Sequence, residues 1–387
     1  HSEKTPSFVV SPAKQNYNCY GCGAHGDVIR FVSEYEHHNF IEAVQYLSDR
    51  AGIQLVGTKS TLKENSAQGD IQRCLQQAYE FFQNNLNQAK ENSQIVQYIN
   101  HRKIQPQLIQ DFALGFVPEG WTSLMDHLTK KGFSLEIQER SGLIKQGKKD
   151  SYYSRLRNRL IFSIRDIRGR LIGFSGRSID NEEPKYLNPP ETELYKKSST
   201  FYGVFEAKEA IRKKRQAIIV EGYLDVIRLH EKGWKESIAA CGTALNEEHV
   251  KALKRIGVQQ ALLLFDGDRA GINAAEKSSE LFVTKGLDSR VIVLPDGQDP
   301  DDYFENHSNS DFELLIQNAP LEVDFLIGLI NERDPDIGLE ALNQKVRHLK
   351  ELSDQIQDPI KRELFSAKIA RAFQIDKKLI SKSEETK

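Results

Sequence analysis

Residues 216–294 alternate between short apolar runs and amphipathic segments, and this alternation constrains the fold more than any other feature of the chain. The apolar runs are "AIIV" (217–220), "ESIAAC", "QALLLF" and "SRVIVL". Between them, "YLDVIRLHEKG", "NEEHVKALKRIG" and "RAGINAAEKSSELFVTKG" carry apolar residues at the period of a helix. Strands that alternate with helices predict a parallel sheet covered on both faces. Ligands of such a sheet bind at the carboxyl ends of its strands.

Acidic residues follow three of these predicted strands, so the carboxyl edge of the sheet gathers up to six carboxylates: Glu221, Asp225, Asp266, Asp268, Asp299 and Asp301. One acid after a strand is usually a cap or a turn residue, whereas three successive clusters favour a cation site. Like charges this close repel one another and are costly to desolvate. Hard oxygen ligands suit Mg²⁺ or Mn²⁺, and two such ions can support phosphoryl transfer. Gly267 is expected to let the backbone turn so that both neighbouring aspartates face one site.

These acidic segments resemble a known module. "VEGYLDVI", "LLLFDGDRAG" and "DGQDPDDY" are together similar to the TOPRIM module, which has a glutamate on one strand end and Asp-x-Asp on another. That module occurs in bacterial primases, topoisomerases, and some nucleases and recombination proteins. Taken alone, it implies metal-dependent phosphotransfer and does not choose among these enzymes.

The first 55 residues contain a cysteine pair, Cys19 and Cys22, spaced Cys-x-x-Cys with glycines at 21 and 23. This spacing suits two thiolates on one Zn²⁺ ion, and on its own it also suits a redox pair. The other cysteines, Cys74 and Cys241, lie in apolar contexts and are expected to be buried and inert.

The start of the chain, "HSEKTPSFVVSPAKQNYNCYGCG", resembles the zinc ribbon of the bacterial DNA primase family. That ribbon has Cys-Pro-x-His, then Glu-Lys-Thr-Pro-Ser-Phe, then Cys-x-x-Cys. The resemblance assigns His1, Cys19 and Cys22 as ligands of one structural Zn²⁺. The first cysteine of the pattern would lie three residues before His1, so we expect an incomplete site in a chain truncated at its start.

A basic block at residues 145–215 holds 18 Lys and Arg against 9 Asp and Glu, although the whole chain has a net charge of only −2. Such a block is either a solvated surface or a track for a phosphate backbone. "RLRNRLIFSIRDIRGRLIGFSGR", "PKYLNPPET" and "LYKKSSTFYG" resemble the primase polymerase core. By that resemblance, four cations contact template or nucleotide phosphates: Arg102, Arg177, Lys185 and Lys197.

The predicted fold is a multi-domain α/β protein. It comprises a zinc ribbon (1–55), a polar linker without periodicity (56–70), a mixed α+β basic subdomain (71–215), a TOPRIM-type parallel α/β sheet (216–300) and a helical subdomain (301–387). Within the basic subdomain, residues 71–142 read as helical. "RLIFSIRD" and "RLIGFSGRS" read as strands joined by a turn at Arg168-Gly169.

The order of ribbon, basic core and TOPRIM module implies a DNA primase, a nucleotidyltransferase that makes short RNA primers on single-stranded DNA from ribonucleoside triphosphates. Two or more Mg²⁺ or Mn²⁺ ions are expected on Glu221, Asp266 and Asp268, supported by Asp225, Asp299 and Asp301. The replicative helicase is expected to bind a further C-terminal domain beyond this sequence.

Two other classes of protein stay open at this point. One is a topoisomerase or nuclease built on TOPRIM, and the other is a non-catalytic, zinc-dependent DNA-binding protein. No run approaches the ~18 apolar residues of a membrane span and no signal peptide is visible. The resemblance to the primase family implies a cytoplasmic protein at the nucleoid-associated replication fork.

Overall fold

The computed structural model describes residues 6–36, 40–53, 59–148, 151–180, 182–333 and 338–380. The chain divides into an N-terminal unit, residues 1–67, and a C-terminal unit, residues 68–387. The finer domain boundaries expected from the sequence stay predictions. Among the described residues, no helix combines the length and apolarity needed to cross a membrane.

The N-terminal unit contains a three-stranded antiparallel sheet followed by two helices. Its elements are β1 (Phe8–Ser11), β2 (Asn16–Cys19), β3 (His25–Asp27), α1 (Val28–Tyr35) and α2 (Phe40–Ala51). The Asp27 carboxylate caps α1 by accepting a hydrogen bond from the Arg30 amide at 2.8 Å. The Tyr17 and Phe31 rings meet edge to face with centroids 5.2 Å apart, which packs α1 on the sheet. Helix α2 confirms the helix expected at 41–50.

A single long helix, α3 (Lys59–Asn87), covers most of the segment expected to be a linker without periodicity. Residues 59–70 are helical, so the prediction of an irregular segment was wrong there; residues 54–58 lie outside the described residues. Lys, Glu, Gln and Ala are good helix formers, and a helix can extend beyond its apolar stripe through such residues. The stripe itself is buried from Ile71 to Phe82.

The region expected to be helical, residues 71–142, contains four further helices: α4 (Gln94–His101), α5 (Pro106–Asp111), α6 (Ser123–Lys130) and α7 (Leu135–Arg140). It also contains a strand, β4 (Gly115–Val117), which the sequence analysis missed. Three residues are too few to display a strand period. The strand is fixed by antiparallel pairing with a distant partner, Gly115 facing Ile161.

Five more strands complete this part of the chain: β5 (Ile144–Gln146), β6 (Tyr152–Ser154), β7 (Arg159–Arg165), β8 (Leu171–Ser178) and β9 (Tyr186–Leu187). Strands β5 and β6 form a separate ribbon, and the others form an antiparallel sheet in the order β4-β7-β8-β9. The predicted β7–β8 turn is confirmed. Gly169 adopts a φ of +85°, and the Asp166 amide donates to the Arg170 carbonyl at 2.9 Å.

The central sheet has the order β10-β12-β11-β13-β14. Its strands are β10 (Phe201–Tyr202), β11 (Gln216–Val220), β12 (Ser237–Ala240), β13 (Gln260–Phe265) and β14 (Asp288–Val293). The last four run parallel, as predicted, whereas β10 is an antiparallel edge strand that the sequence did not reveal. The helices between them are α8 (Val204–Lys214), α9 (Tyr223–Glu231), α10 (Glu247–Arg255) and α11 (Arg269–Thr284).

Helices cover both faces of this sheet, as expected. Helix α9 packs on one face together with α12 (Pro300–Asn306), and α8, α10 and α11 pack on the other. The helix after β11 and the helix after β13 therefore lie on opposite faces, although these two strands are neighbours. Such a switch point opens a crevice at the carboxyl ends of the strands.

The remaining chain is helical, as predicted: α13 (Asn309–Asn318), α14 (Glu322–Arg333), α15 (Leu339–Gln355) and α16 (Pro359–Ala372), with a short 3₁₀ turn at Lys377–Leu379. Helices α14–α16 share an apolar cluster with Val283 of α11. Cys74 and Cys241 are fully buried, as expected.

Two leucines allow a matched test of this core. Leu262 of β13 is 0% exposed, whereas Leu339 at the start of α15 is 85% exposed. We expect Leu262→Ala to lower the free energy of unfolding of the C-terminal unit by about 2–5 kcal/mol, because it leaves a cavity under the sheet. Leu339→Ala should change it by less than about 0.5 kcal/mol. Urea unfolding followed by circular dichroism measures both, and equal effects would contradict the packing described here.

Candidate active site

A cavity of about 260 Å³ opens at the switch point of the central sheet. Five of the six predicted carboxylates line it: Glu221, Asp225, Asp266, Asp299 and Asp301. Three of the four predicted cations line it too: Arg102, Arg177 and Lys185. Residues separated by almost two hundred positions thus meet in one space, with acids from the central sheet and cations from the preceding part of the unit.

Burial and repulsion between neighbouring carboxylates raise the pKa of Glu221, Asp225 and Asp266. Burial and then the charges of Asp299 and Asp266 raise the pKa of Asp225 to about 8. Burial and then the charge of Glu221 raise the pKa of Asp266 to about 7. The pKa of Glu221 is also raised, by burial and then by Asp268. Because Asp225 and Asp266 retain protons near neutral pH, a cation at this edge would be strongly favoured electrostatically.

Several of these carboxylates also cap backbone groups. Asp268 accepts from the Gly271 amide at 2.7 Å at the start of α11, and Asp299 accepts from the Asp302 amide at 2.8 Å at the start of α12. Asp225 accepts from the Gly222 amide at 2.9 Å. The cap role considered from the sequence is therefore real. It does not exclude a cation, because a carboxylate has two oxygens with several lone pairs.

Gly267, between Asp266 and Asp268, is required by close backbone approach and not by a left-handed turn. A Cβ atom at this position would lie 2.1 Å from the Leu294 carbonyl oxygen and 2.8 Å from the Gly297 amide nitrogen. Its φ is not among the positive ones. The expectation that glycine supplies a special turn is thus corrected: it lets the ends of β13 and β14 lie against each other.

Asp301 occupies a position unlike that of a free metal ligand. Its Oδ2 accepts from Arg102 at 2.8 Å, and its Oδ1 accepts from Arg228 at 2.7 Å. Both oxygens are therefore engaged by arginines, so the expected direct contact with magnesium would have to compete with two ion pairs. Asp268, by contrast, does not line the cavity itself but acts on Glu221 electrostatically.

The donor set fits a divalent cation by its chemistry. Its members are hard carboxylate oxygens, and burial followed by neighbouring carboxylates raises the pKa values of Glu221, Asp225 and Asp266. Among the residues that the structure describes, no three His, Cys, Asp or Glu side chains are already arranged to hold a metal ion.

On the opposite wall, Arg177 is fixed by Tyr186. Its Nη1 donates to the tyrosine hydroxyl at 2.6 Å, and its guanidinium lies 5.1 Å from the ring centroid. Tyr186 and Asn188 line the cavity and were missed as site residues, although both stand in "PKYLNPPET" beside Lys185. Lys197 does not line it.

Asn188 connects the cavity to the core, because its Oδ1 accepts from the hydroxyls of Ser175 and Tyr223, each at 2.8 Å.

Asp302, next to Asp301, is a further acid that the sequence analysis left out. Its pKa is raised, mainly by the charge of Asp299. The run of acids after β14 was the available signal for it.

In the N-terminal unit, Cys19 ends β2 and Cys22 lies in the turn that follows. The Gly23 amide donates to the Cys19 carbonyl at 2.8 Å, and Gly23 has a φ of +75°. The Ser7 hydroxyl contact, followed by backbone amides, lowers the pKa of Cys19 to about 7. A thiol stabilised as thiolate beside a second cysteine in a tight turn fits zinc. His1, the third predicted ligand, lies outside the described residues.

Three family models match the chain in succession. A "CHC2 zinc finger" matches residues 1–63, a "DNA primase catalytic core, N-terminal domain" matches 81–208, and a "Toprim-like" module matches 218–304. The first and last of these indicate zinc and divalent-metal binding.

Known proteins match across the same span. The chain is 36% identical to a DNA primase of Clostridium acetobutylicum over 96% of its own length. It is 30% identical to the zinc-binding and RNA polymerase domains of Aquifex aeolicus primase, covering 98% of this chain and 90% of that one, with a TM-score of 0.71. The chain belongs to the DnaG-type bacterial primase family.

A third match is the RNA polymerase domain of Mycobacterium tuberculosis primase, solved with a double-stranded DNA oligomer that has a 6-nucleotide overhang. It is 33% identical, covers 79% of this chain and 97% of that one, and has a TM-score of 0.65. All three modules thus match in primase order, and the topoisomerase, nuclease and non-catalytic alternatives are not favoured. The chain spans 61% of the Clostridium primase.

The pKa values predict how pH affects the metal-free protein. Asp225 and Asp266 have folded-state pKa values of about 8 and about 7, against an ordinary aspartate value of 3.8. The native state therefore holds more protons than the unfolded state between these values, and stability falls as pH rises through this window. Asp225→Asn keeps an acceptor for the Gly222 amide and should remove on the order of 2 kcal/mol of that fall.

Thermal melting in a chelator at pH 5.5 and pH 7.5 measures this effect, and the comparison is between the drop in the parent and the drop in the variant. An equal drop in both proteins would mean that Asp225 is not among the groups that cause it.

The close approach at Gly267 predicts a loss of cation affinity in Gly267→Ala. The new Cβ must push away the backbone that follows β14, at Leu294 and Gly297, and this displacement should separate Asp266 from Asp299. We expect affinity for Mn²⁺, measured by calorimetry, to fall roughly tenfold, because misplaced ligands bind weakly. Gly328→Ala in α14 is the matched control, since nothing lies within 4 Å of its Cβ. Parent affinity in Gly267→Ala would contradict the argument.

Proposed function

We propose that this chain synthesises short RNA primers on single-stranded DNA from ribonucleoside triphosphates. The observation that carries the proposal is the cavity at the switch point, where carboxylates face arginines and a lysine. A triphosphate with its divalent cation has matching charges, since its oxygens suit the cations and its metal suits the carboxylates. The DNA in the matched Mycobacterium structure supports a nucleic-acid template.

The reaction would be attack of a primer 3′-hydroxyl on the α-phosphorus of the incoming nucleotide. One P–O bond forms, the hydroxyl proton passes to water, the bond to the β-phosphate breaks and pyrophosphate leaves, so no protein nucleophile is needed. Bound Mg²⁺ or Mn²⁺ supplies a lowered pKa for the hydroxyl and neutralises developing charge. Glu221 and Asp266 would hold the metal ion, with Asp225 and Asp299 in support, and Asp268 would add negative charge beside Glu221.

The cations on the opposite wall would orient the substrate. Arg177, held by Tyr186, presents a fixed guanidinium, and Arg102 and Lys185 complete a positive wall for phosphate oxygens. Because the cations and the acids line opposite sides of one cavity, the triphosphate would lie between them. This gives the arginines a positioning role and the acids the role of binding the cation.

A tyrosine nucleophile of the topoisomerase type is poorly supported. Tyr186 and Tyr223 line the cavity, and burial raises the pKa of both hydroxyls above the ordinary value. A phenol in that environment resists ionisation and makes a weak nucleophile.

The resemblance to the primase family supplies two further parts of the proposal. The zinc ribbon would engage the template at initiation, and the replicative helicase would be a partner of the full-length protein.

The catalytic test uses Asp268→Asn. Asparagine keeps the cap on the Gly271 amide but removes the charge, so α11 should stay intact. We expect incorporation of labelled ribonucleotides on a single-stranded template with Mg²⁺ to fall at least roughly 100-fold, by loss of electrostatic stabilisation. Asn246→Asp, a charge change at the cap of α10, is the control. Near-parent primer synthesis by Asp268→Asn would remove Asp268 from the reaction.

The basic block predicts salt-dependent binding of single-stranded DNA, because each neutralised phosphate releases counterions. Lys185 is exposed at the rim of the cavity. Lys185→Gln should make the slope of log K against log salt shallower by about 0.7. Lys378 is also exposed and lies near the end of the described residues, and Lys378→Gln should leave the slope unchanged. Fluorescence anisotropy over a salt series measures both slopes, and identical slopes would exclude a phosphate contact at Lys185.

A further inference from the structure

Arg228 forms a dense set of contacts beside the candidate site. It lies on α9 one turn after Asp225, and its side chain is 11% exposed. Its Nε and Nη2 contact Asp301 Oδ1 at 2.7 and 2.6 Å, and its Nη1 pairs with Glu231. Its Nη2 also donates to the Arg102 carbonyl at 3.1 Å. The guanidinium thus binds two carboxylates and one backbone oxygen.

Asp301 connects Arg228 to the side chain of Arg102. One carboxylate oxygen accepts from Arg228, and the other accepts from Arg102 Nη1 at 2.8 Å. Arg228 therefore holds Arg102 at two points, its carbonyl and, through Asp301, its guanidinium. The side chains that form these contacts are largely buried, with 27% exposure for Arg102 and 13% for Asp301.

The turn that carries Arg102 needs such support. It follows α4, and the next residue, Lys103, adopts a left-handed φ of +52° that non-glycine residues rarely take. Lys103 Nζ pairs with Glu305 of α12 at 3.0 Å. The turn is thus attached both to α9 and to α12, and its position relative to the central sheet is set by these contacts.

We propose that Arg228 is a positioning residue that acts through Arg102. Arg102 lines the acid-lined cavity, whereas Arg228 lines a separate, smaller space on the other side of Asp301. Arg228 therefore does not contact the substrate; it fixes the guanidinium that does. A long arginine side chain loses much rotamer freedom on binding, so an arginine held beforehand binds phosphate more tightly. This inference rests on the proposed function, in which Arg102 contacts the triphosphate.

The same contacts assign a different role to Asp301 from the one expected from the sequence. A carboxylate with both oxygens on arginines is neutralised and held, which suits a bridge better than a metal ligand. Removal of Arg228 would leave Asp301 with one partner and free Arg102 to follow it or turn away. The consequence should appear in substrate binding more than in the chemical step.

The test is a double-mutant cycle. Arg228→Gln should raise KM for the ribonucleotide about tenfold with kcat within about threefold, since a charge-assisted contact is weakened and not the reaction itself. Arg228→Lys, which keeps one charge on Asp301, should give an intermediate KM. In an Arg102→Gln background, Arg228→Gln should change KM by less than about twofold, because the group it positions is gone. Effects that multiply in the double variant, or a parent KM in Arg228→Gln, would overturn the inference.

Lys361→Gln is the matched control for a purely structural loss. Lys361 also bridges two carboxylates, Asp288 at 2.7 Å and Glu322 at 3.0 Å, but at the opposite end of β14. We expect Lys361→Gln to lower the melting temperature about as much as Arg228→Gln does and to leave KM at the parent value. A KM that rises in proportion to lost stability in both variants would reduce Arg228 to a structural residue.

Binding of a fluorescent Mg²⁺–ribonucleoside triphosphate separates this inference from the proposed function. If the parent binds the nucleotide and the cycle is non-additive in Kd, but no primer forms, positioning by Arg228 stands and primer synthesis fails. If the parent makes primers and the two arginines act independently in Kd and KM, primer synthesis stands and the positioning role fails.

Discussion

Repulsion among carboxylates at the carboxyl edge of the central sheet is the constraint on which the rest of the site depends. Glu221 and Asp266 follow neighbouring parallel strands, so the topology itself places them together. An isolated edge of this kind would not be stable. The acidic edge is tolerated because the strands beneath it carry buried core residues, such as Leu262 and Leu264 of β13. Stability made in that core offsets the strain of an acidic site at its margin.

The folding role and the proposed binding role of these acids depend on each other. Asp268 and Asp299 begin helices by accepting backbone hydrogen bonds, which fixes their side chains before any ligand arrives. A free carboxylate oxygen is then presented from a rigid helix start and not from a mobile loop. Arg177 is likewise held in place before a ligand binds, because its Nη1 donates to the Tyr186 hydroxyl. Preorganisation of this kind is what tight binding of a charged substrate requires.

The parts that the sequence predicted well are those with local signals. Alternating strands and helices, the turn at Gly169 and the acids after three of the strands are all visible within short windows, and the structure has these strands, helices and turn. Strand β4 and the antiparallel edge β10 depend on distant partners and leave no local pattern. The arginines on Asp301 were invisible for the same reason, since Arg102 lies 199 positions away and Arg228 lies 73 away. The sequence therefore suggested candidate site residues but did not show which of them form ion pairs with one another.

Charge balance in the cavity follows from that pairing. Five carboxylates and three cations line it, and Asp301 is additionally neutralised by Arg228, which lies outside the lining. The remaining excess of negative charge falls on Glu221, Asp225, Asp266 and Asp299. Protons compensate for part of it near neutral pH, as the raised pKa values of Asp225 and Asp266 indicate. A divalent cation at this edge must displace those protons, so metal binding and proton release are coupled. Arg228 and Arg102 balance the charge of Asp301, and Arg102, which lines the cavity, keeps further N–H donors for phosphate.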